Sequence, residues 1–544
     1  MKNRSWVGVF MSGCLLCSVI GAMAGTLEMP PVFTSEMVLQ AEMPVPVWGW
    51  AKPSEKVEVT FAGQTLAAKA GNDGLWMVKL APMKVSFEGR SMLVKTQAET
   101  KTFDDVLVGE VWLCSGQSNM SLRLPKCKDG EQEVANANDK DLRFFSIPDH
   151  IPYPCDTPME KRLPGNGVLS WKKVGPGTAA DISAIGYFFA KEIRRETKRP
   201  VGIVLAARGG SNAECWVRRE ALMTDPAFAA YVAKTDAWNE KYPEAQKRMQ
   251  ELLAKWGQDC KNAKANGQPE PARPKPAPAD NEILALHFWA SSCYNTHLAS
   301  IKPYAVRGVL WYQGENNGGR SGGSAGGYDY QRLLPLIISD WRKIWGQERM
   351  PFYIVQLANF SSPKNDPDSK DTGWPELREA QAITSEKVPD CGLVVTMDIG
   401  DPKDIHPGNK QEVGRRLALI ARSKVYGLND VVYSGPRYRS MKVEGNAIRL
   451  EFDSVNGGLV AKDGKLSGFT ICGDERKFVW GDAKIDGNTV VVSSPAVTTP
   501  VAVRYAWQMG SESCLFNGAG QPASPFRTDD WPGLTWPKPE EVKK

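Results

Sequence analysis

Apolar and polar positions alternate in two outer parts of this chain and run unbroken in the part between them. Near the N-terminus Val57, Val59 and Phe61 alternate with polar residues, and the same period recurs around Trp76 and Val78. Asn72-Asp73-Gly74 is a hairpin-type turn between those two stretches. This pattern predicts a small β-sandwich over 25–105. From 106 to 430 short continuous apolar runs at 201–205, 306–312, 352–356 and 393–396 are separated by helix-like stretches such as 181–197 and 328–346. Strands without a polar face, alternating with amphipathic helices, predict an α/β domain whose parallel sheet is covered on both sides. Alternation returns after 431: Ile448, Leu450 and Phe452 follow Glu444-Gly445-Asn446, and 490–492 follows Asp486-Gly487-Asn488. A second β-domain is expected over 431–540.

Two stretches interrupt the central pattern. Residues 219–280 begin rich in Ala, Lys, Glu and Gln, as an exposed helix would be, and end in 268–280, which holds five prolines and reads as an extended tether. We treat this as an insertion without chemistry of its own. The glycine-rich loop 314–327 lacks the Gly-Lys-Ser/Thr ending of a phosphate loop, so no nucleotide is expected there.

Composition narrows the functional classes. The formal charge of +5 falls to +3 once residues 1–24, with Lys2 and Arg4 and no acid, are removed. That is too little for a nucleic-acid partner, and no Lys/Arg block stands out. Lys2 and Arg4, the apolar stretch from Trp6 to Ile20 and Ala22-Met23-Ala24 form a signal peptide cleaved near Ala24. No later stretch is long enough for a membrane span, so a secreted or periplasmic protein is expected. Met11-Ser12-Gly13-Cys14 fits a lipoprotein box poorly, and no lipid anchor is expected. Nine of the eleven cysteines survive processing (114, 127, 155, 215, 260, 293, 391, 472 and 514), an odd number without a surviving Cys-x-x-Cys pair. There is no His-Glu-x-x-His, and the spacing of Asp398, Asp401 and Asp404 is not that of a calcium loop. No metal or cofactor is expected.

The candidate chemistry sits at strand ends. An apolar run ending at Leu113 turns through Cys114-Ser115-Gly116 into Gln117-Ser118-Asn119-Met120. Such a turn exposes a hydroxyl at the carboxyl end of a sheet strand. Met120 stands where a Gly-x-Ser-x-Gly elbow has its second glycine, so the stretch by itself is only a polar turn with a serine. A serine needs a base, and histidine is the natural one. Of four histidines, His150 lies among prolines, and His287 and His297 lie in a stretch where packing explains them. His406 follows the strand at 393–397 and precedes a helix starting near Lys410, with Asn409 and Glu412 as a capping-box-like start. Asp404, two residues before, can hold one ring nitrogen and leave the other for Ser118. Two further strand ends, Arg208-Gly209-Gly210-Ser211 and Gln313-Gly314-Glu315-Asn316, supply donors for an oxyanion.

Together, Gly116-Gln117-Ser118-Asn119-Met120, Gly209-Gly210, the block Trp311 to Asn316 and the block Asp404 to Lys410 resemble the sialate O-acetylesterase family of SGNH-type esterases. The likeness continues into Met37 to Gln40, Pro44 to Trp50, Val503 to Trp507 and Pro525 to Thr528, and so covers nearly the whole mature chain. The resemblance implies an SGNH-hydrolase-like three-layer α/β/α sandwich with a β-domain on each flank, acting on O-acetyl esters of sialic acids or other acetylated glycans. It implies Ser118 as nucleophile, His406 as base and Asp404 as orienter. The oxyanion and substrate groups it implies are Ser118 N–H, Gly209, Gly210, Gln313, Glu315 and Asn316. The superfamily's Asp-x-x-His is shortened here to Asp-x-His, leaving Asp398, Asp401 and Glu315 as alternative orienters. Arg208 either faces a sialic acid carboxylate bidentately or pairs with a nearby acid. An acetyl xylan or other glycan deacetylase, and an inactive carbohydrate-binding protein, are the alternatives to a sialate esterase.

Overall fold

The computed structural model describes residues 27–149, 169–319, 323–369, 372–428 and 431–537. The expected signal peptide and lipoprotein box, His150 and Cys155 lie outside the described residues. No helix among the described residues is long and apolar enough to cross a membrane.

The centre of the molecule is a mixed α/β unit. Its strands are β1 (Thr100–Gly116), β2 (Asp139–Ser146), β3 (Val201–Ala207), β4 (Gly308–Tyr312), β5 (Phe352–Val355) and β6 (Cys391–Val394), ordered β6-β5-β4-β1-β3-β2. All five pairings along that order are parallel, and the short strand Lys172–Val174 adds antiparallel to the β2 edge. Every residue of β3, β4 and β5 is buried, the burial pattern of strands with helices on both sides. Period-2 geometry sends neighbouring residues to opposite faces. Trp112 of β1 meets Phe189 edge-on at 5.0 Å, whereas Trp311 of β4 meets Trp341 at 5.7 Å.

The helices are α1 (Ser118–Ser121), α2 (Ala184–Thr197), α3 (Pro226–Ala265), α4 (Gly327–Trp345), α5 (Trp374–Lys387) and α6 (Lys410–Lys424), besides several short turns. Phe189 belongs to α2 and Trp341 to α4, so the two faces of the sheet carry different helices. The α3 helix fills most of the interruption at 219–280 as a 40-residue helix with Pro243 inside it.

The N-terminal part is β-rich, and the expected boundary at 105 falls within a single 17-residue strand. The first half of β1 pairs antiparallel with Ser86–Lys95, and its second half lies between β3 and β4. One detail corrects the sequence reading. Asn72-Asp73-Gly74 does not join the two alternating stretches into a hairpin. Lys56–Phe61 pairs with Gln64–Lys69 across Ala62-Gly63, while Leu75–Leu80 pairs with Val45–Trp50 in another sheet. Both Ala62 and Gly63 take positive φ, at 49° and 78°, the conformation of a tight two-residue hairpin turn. Beyond 431, Arg437–Glu444, Ala447–Asp453, Thr489–Ser493 and Asp482–Asp486 form an antiparallel sheet in that spatial order.

Candidate active site

Gly116 makes the turn at the end of β1. Its φ is +129°, and a Cβ there would stand 2.1 Å from the Tyr312 carbonyl oxygen, so only glycine lets β1 and β4 end side by side. The Gln117 N–H donates to the Tyr312 carbonyl (2.9 Å), and the Gly314 N–H donates to the Gln117 side chain (3.1 Å). These bonds fix Ser118 at the first position of α1.

His406 arrives from the far side of the sequence. Beyond β6 the chain runs through the 398–406 loop into α6, whose first turn is capped by Asn409 accepting from the Glu412 N–H (3.2 Å). His406 Nε2 lies 2.8 Å from Ser118 Oγ, although 288 residues separate them. Asp404 Oδ1 accepts the His406 backbone N–H at 2.8 Å and lies 3.5 Å from His406 Nδ1. Its side chain is 60% exposed, so this contact is solvated and loose. The other candidate orienters are occupied elsewhere. Asp398 forms a two-point pair with Arg416 (2.8 and 2.6 Å), and Asp401 accepts the Lys403 N–H (2.8 Å). Glu315 is buried and faces Asn119.

The remaining strand ends divide into groups at Ser118 and groups behind it. A Cβ on Gly209 would stand 3.8 Å from the Ser118 Cβ, which puts this backbone beside the Ser118 side chain. The Gly209 N–H donates to the Asp149 carboxylate at 2.7 Å. Arg208 donates to the Asp149 carbonyl (2.6 Å) and approaches its carboxylate at 3.5 Å. Of the two roles open to Arg208, pairing with an acid is the one it takes here. The Asn316 amide donates to the Gly210 carbonyl. Gln313 is fully buried: its amide donates to the Ser211 carbonyl (3.1 Å) and Asn317 (2.7 Å) and accepts from Tyr330 (2.7 Å), so it braces the strand ends instead of reaching Ser118.

His297 is fully buried and His287 half-buried. Burial, with help from Arg208, holds each imidazole down at about 4. His287 packs edge-on to Phe288 (4.4 Å) and His297 to Trp216 (5.5 Å). The eight described cysteines are free thiols. Among the described residues, no group of three or more His, Cys, Asp or Glu is gathered as a metal site. Cavities of about 440 and 310 Å³ lie against the C-terminal β-sheets and are lined by neither Ser118 nor His406.

Sequence reasoning singled out Ser118, His406 and Asp404, and it quoted Asn119 and Lys410 without giving them a role. Their signal was position: Asn119 directly follows Ser118, and Lys410 opens the helix four residues beyond His406. Asp149 carried no signal, because nothing local distinguishes it from any loop carboxylate.

Comparison with known proteins agrees with this architecture. The family model described as carbohydrate esterase, sialic acid-specific acetylesterase, matches residues 108–266 and 285–422. The sialate O-acetylesterase of Rattus norvegicus is 29% identical over 511 residues, covering 87% of this chain and 88% of that protein. The sialate O-acetylesterase of Homo sapiens is 28% identical, covering 92% of each. A crystal structure of a carbohydrate acetylesterase from Xanthomonas citri is similar with a TM-score of 0.75 and 33% identity, covering 93% of this chain and all of that one.

Proposed function

The chain belongs to the family of sialic acid-specific acetylesterases among the carbohydrate esterases, and on that premise we propose that it is an exported serine esterase that removes O-acetyl groups from sialic acids or related glycans. That it is a carboxylic ester hydrolase follows from its relatives. The architecture we propose is the SGNH-type three-layer sandwich, with helices on both faces of the parallel sheet as its support. The flanking β-domains at 25–105 and 431–540 belong to the same proposal, as does secretion after cleavage near Ala24.

One observation carries the mechanism: the 2.8 Å approach of His406 Nε2 to Ser118 Oγ. Nε2 takes the hydroxyl proton as Oγ attacks the acetyl carbonyl carbon. A proton on Nδ1, facing Asp404, is the tautomer that leaves Nε2 free to do so. The Ser118 and Gly209 N–H groups, with the Asn316 amide beside them, receive the negative oxygen. For that, the Asp149 carboxylate, whose side chain is 46% exposed, must leave the Gly209 N–H. His406 then protonates the departing sugar oxygen, and the acetyl group stays on Oγ. A water deprotonated by His406 attacks this ester, and acetate leaves as Oγ recovers its proton. Gly210, Gln313 and Glu315 hold the strand ends in place, and Arg208 with Asp149 borders the mouth.

A second reading, an uncharged acetylated glycan such as xylan, is favoured by the Arg208–Asp149 pair. An arginine that keeps a carboxylate within 3.5 Å after that carboxylate releases the Gly209 N–H has less attraction left for the carboxylate of a sialic acid. Hydrolysis of p-nitrophenyl acetate, lost in Ser118→Ala, tests the esterase reading against that of an inactive carbohydrate-binding protein. Acetate release from 9-O-acetyl-sialic acid compared with acetylated xylan then chooses the substrate, and no release from the first overturns the sialate reading.

A further inference from the structure

Directly behind the nucleophile lies a buried chain of three polar side chains from three separate strand ends. Lys410 Nζ donates to Asn119 Oδ1 at 2.5 Å, and Asn119 Nδ2 donates to Glu315 Oε1 at 2.5 Å. The second Nδ2 hydrogen goes to the Ile405 carbonyl at 3.0 Å, and Ile405 immediately precedes His406. All three side chains are buried: Lys410 is 0% exposed, Asn119 2% and Glu315 6%. The Lys410 ammonium also lies 5.3 Å from the centre of the Tyr312 ring.

The charges at the two ends decide how the amide between them points. Burial pushes the Glu315 carboxyl up and the Lys410 ammonium down; with both ionised, an ammonium only donates and a carboxylate only accepts, so Asn119 must turn its oxygen to Lys410 and its NH₂ to Glu315. That orientation aims the remaining N–H at Ile405. With both ends neutral, the amide has no electrostatic reason to keep this direction, and the Ile405 carbonyl can lose its donor. Asp404 does not substitute for the clamp, because its own contact with the imidazole is long and solvated.

We propose that Glu315 and Lys410 are positioning residues that act through Asn119: their opposite charges lock its amide so that it clamps the Ile405 carbonyl and holds His406 at proton-transfer distance from Ser118. This rests on the Ser118–His406 reading. A misplacement of about 1 Å at a reacting group costs on the order of a hundredfold in rate, so the clamp acts on kcat and leaves acetyl-ester binding nearly alone. Single charge removals strand a buried partner and threaten the fold. The informative variant is therefore Glu315→Gln with Lys410→Met, which removes both charges at nearly constant volume.

The test measures kcat and KM of the full-length enzyme on p-nitrophenyl acetate, with active sites titrated by an organophosphate. We expect the double variant to lose about 10- to 100-fold in kcat at a KM within about twofold, with the wild-type number of titratable sites. Asn119→Leu should lose at least as much, and adding the double change to it should cost no further activity, since both act through the same amide. The pH profile supplies an independent readout. Burial holds the Lys410 ammonium down at about 8, with Glu315, Asp404 and Cys127 as the ionisable groups facing it. Wild-type kcat should therefore decline above about pH 8, and the double variant should lack that decline. A double variant with wild-type kcat, or losses that multiply with Asn119→Leu, would overturn the proposal. So would a fall in kcat matched by an equal loss of titratable sites. An inactive wild type, or a fully active Ser118→Ala, would instead remove the Ser118–His406 reading itself.

Discussion

Ser118 and His406 meet at hydrogen-bond distance, but the third member of their group is held far less firmly. That asymmetry has measurable consequences. Ser118→Ala and His406→Ala should each lower kcat on p-nitrophenyl acetate by at least about 10³-fold. Asp404→Asn should cost only about tenfold, because a carboxylate 3.5 Å away and 60% exposed contributes little orientation that the Ile405 clamp does not already supply. A loss for Asp404→Asn as large as that for His406→Ala would show the clamp to be secondary. His297, fully buried, and the half-buried His287 bear on stability instead. Both are held down from an ordinary 6.5 to about 4, so the unfolded chain binds more protons between those values. Stability from His287 and His297 is thus complete above about pH 6.5 and lost as pH falls towards 4. The melting temperature should drop across that window more steeply than in His287→Gln, followed by scanning calorimetry.

At the level of single elements, the turn from β1 into α1 is the most constrained stretch in the site. Gly116→Ala would press a methyl group onto the Tyr312 backbone in a conformation that side chains rarely adopt. It should cost more than about 3 kcal/mol and separate β1 from β4, read as a lower urea midpoint together with lost activity. Asn409→Ala removes only a cap from α6 and should cost about 1 kcal/mol. Because α6 also carries Lys410, kcat should fall more than that stability loss accounts for. The sequence showed the Gly116 turn and the α6 start as breaks in apolar periodicity. It did not show which glycine had to be glycine, because that depends on the Tyr312 carbonyl, nearly two hundred residues away. The N-terminal hairpin failed for the same reason. Asn72-Asp73-Gly74 is a sound turn locally, but the strands before and after it found partners in different sheets.

Across the whole molecule, one buried guanidinium is among the polar groups that tie the C-terminal part to the central unit, together with the Arg527–Glu379 pair and the Gln356–Ser524 bond. Arg378 of α5, fully buried, donates to the carbonyls of Leu357, Ala358, Gln508 and Met509. Leu357 and Ala358 follow β5, and Gln508 and Met509 belong to the region beyond 431. Arg378→Met would leave all four acceptors buried without their donor, at about 1–3 kcal/mol each where no water enters. Calorimetry should show the single unfolding transition lowered and divided in two. A variant melting as one unit at the wild-type temperature would mean that the remaining contacts, among them the Arg527–Glu379 pair and the Gln356–Ser524 bond, suffice to join these parts.

The sequence by itself determined the order of the parts, the alternation that makes the middle an α/β unit, and the choice of Ser118, His406 and Asp404 as the proposed catalytic group. Each is local information, because strand or helix period and the reactivity of a side chain are written within a few neighbouring residues. Only the tertiary structure decided which polar residues at the strand ends face the reacting hydroxyl and which brace it from behind. Gln313 and Glu315 turned inward, Arg208 found Asp149, and Asn119 and Lys410 became a clamp. Those outcomes depend on the parallel register of β1, β3 and β4 and on burial, which sets how strongly one charge fixes another. Neither register nor burial is encoded at the residues that depend on it.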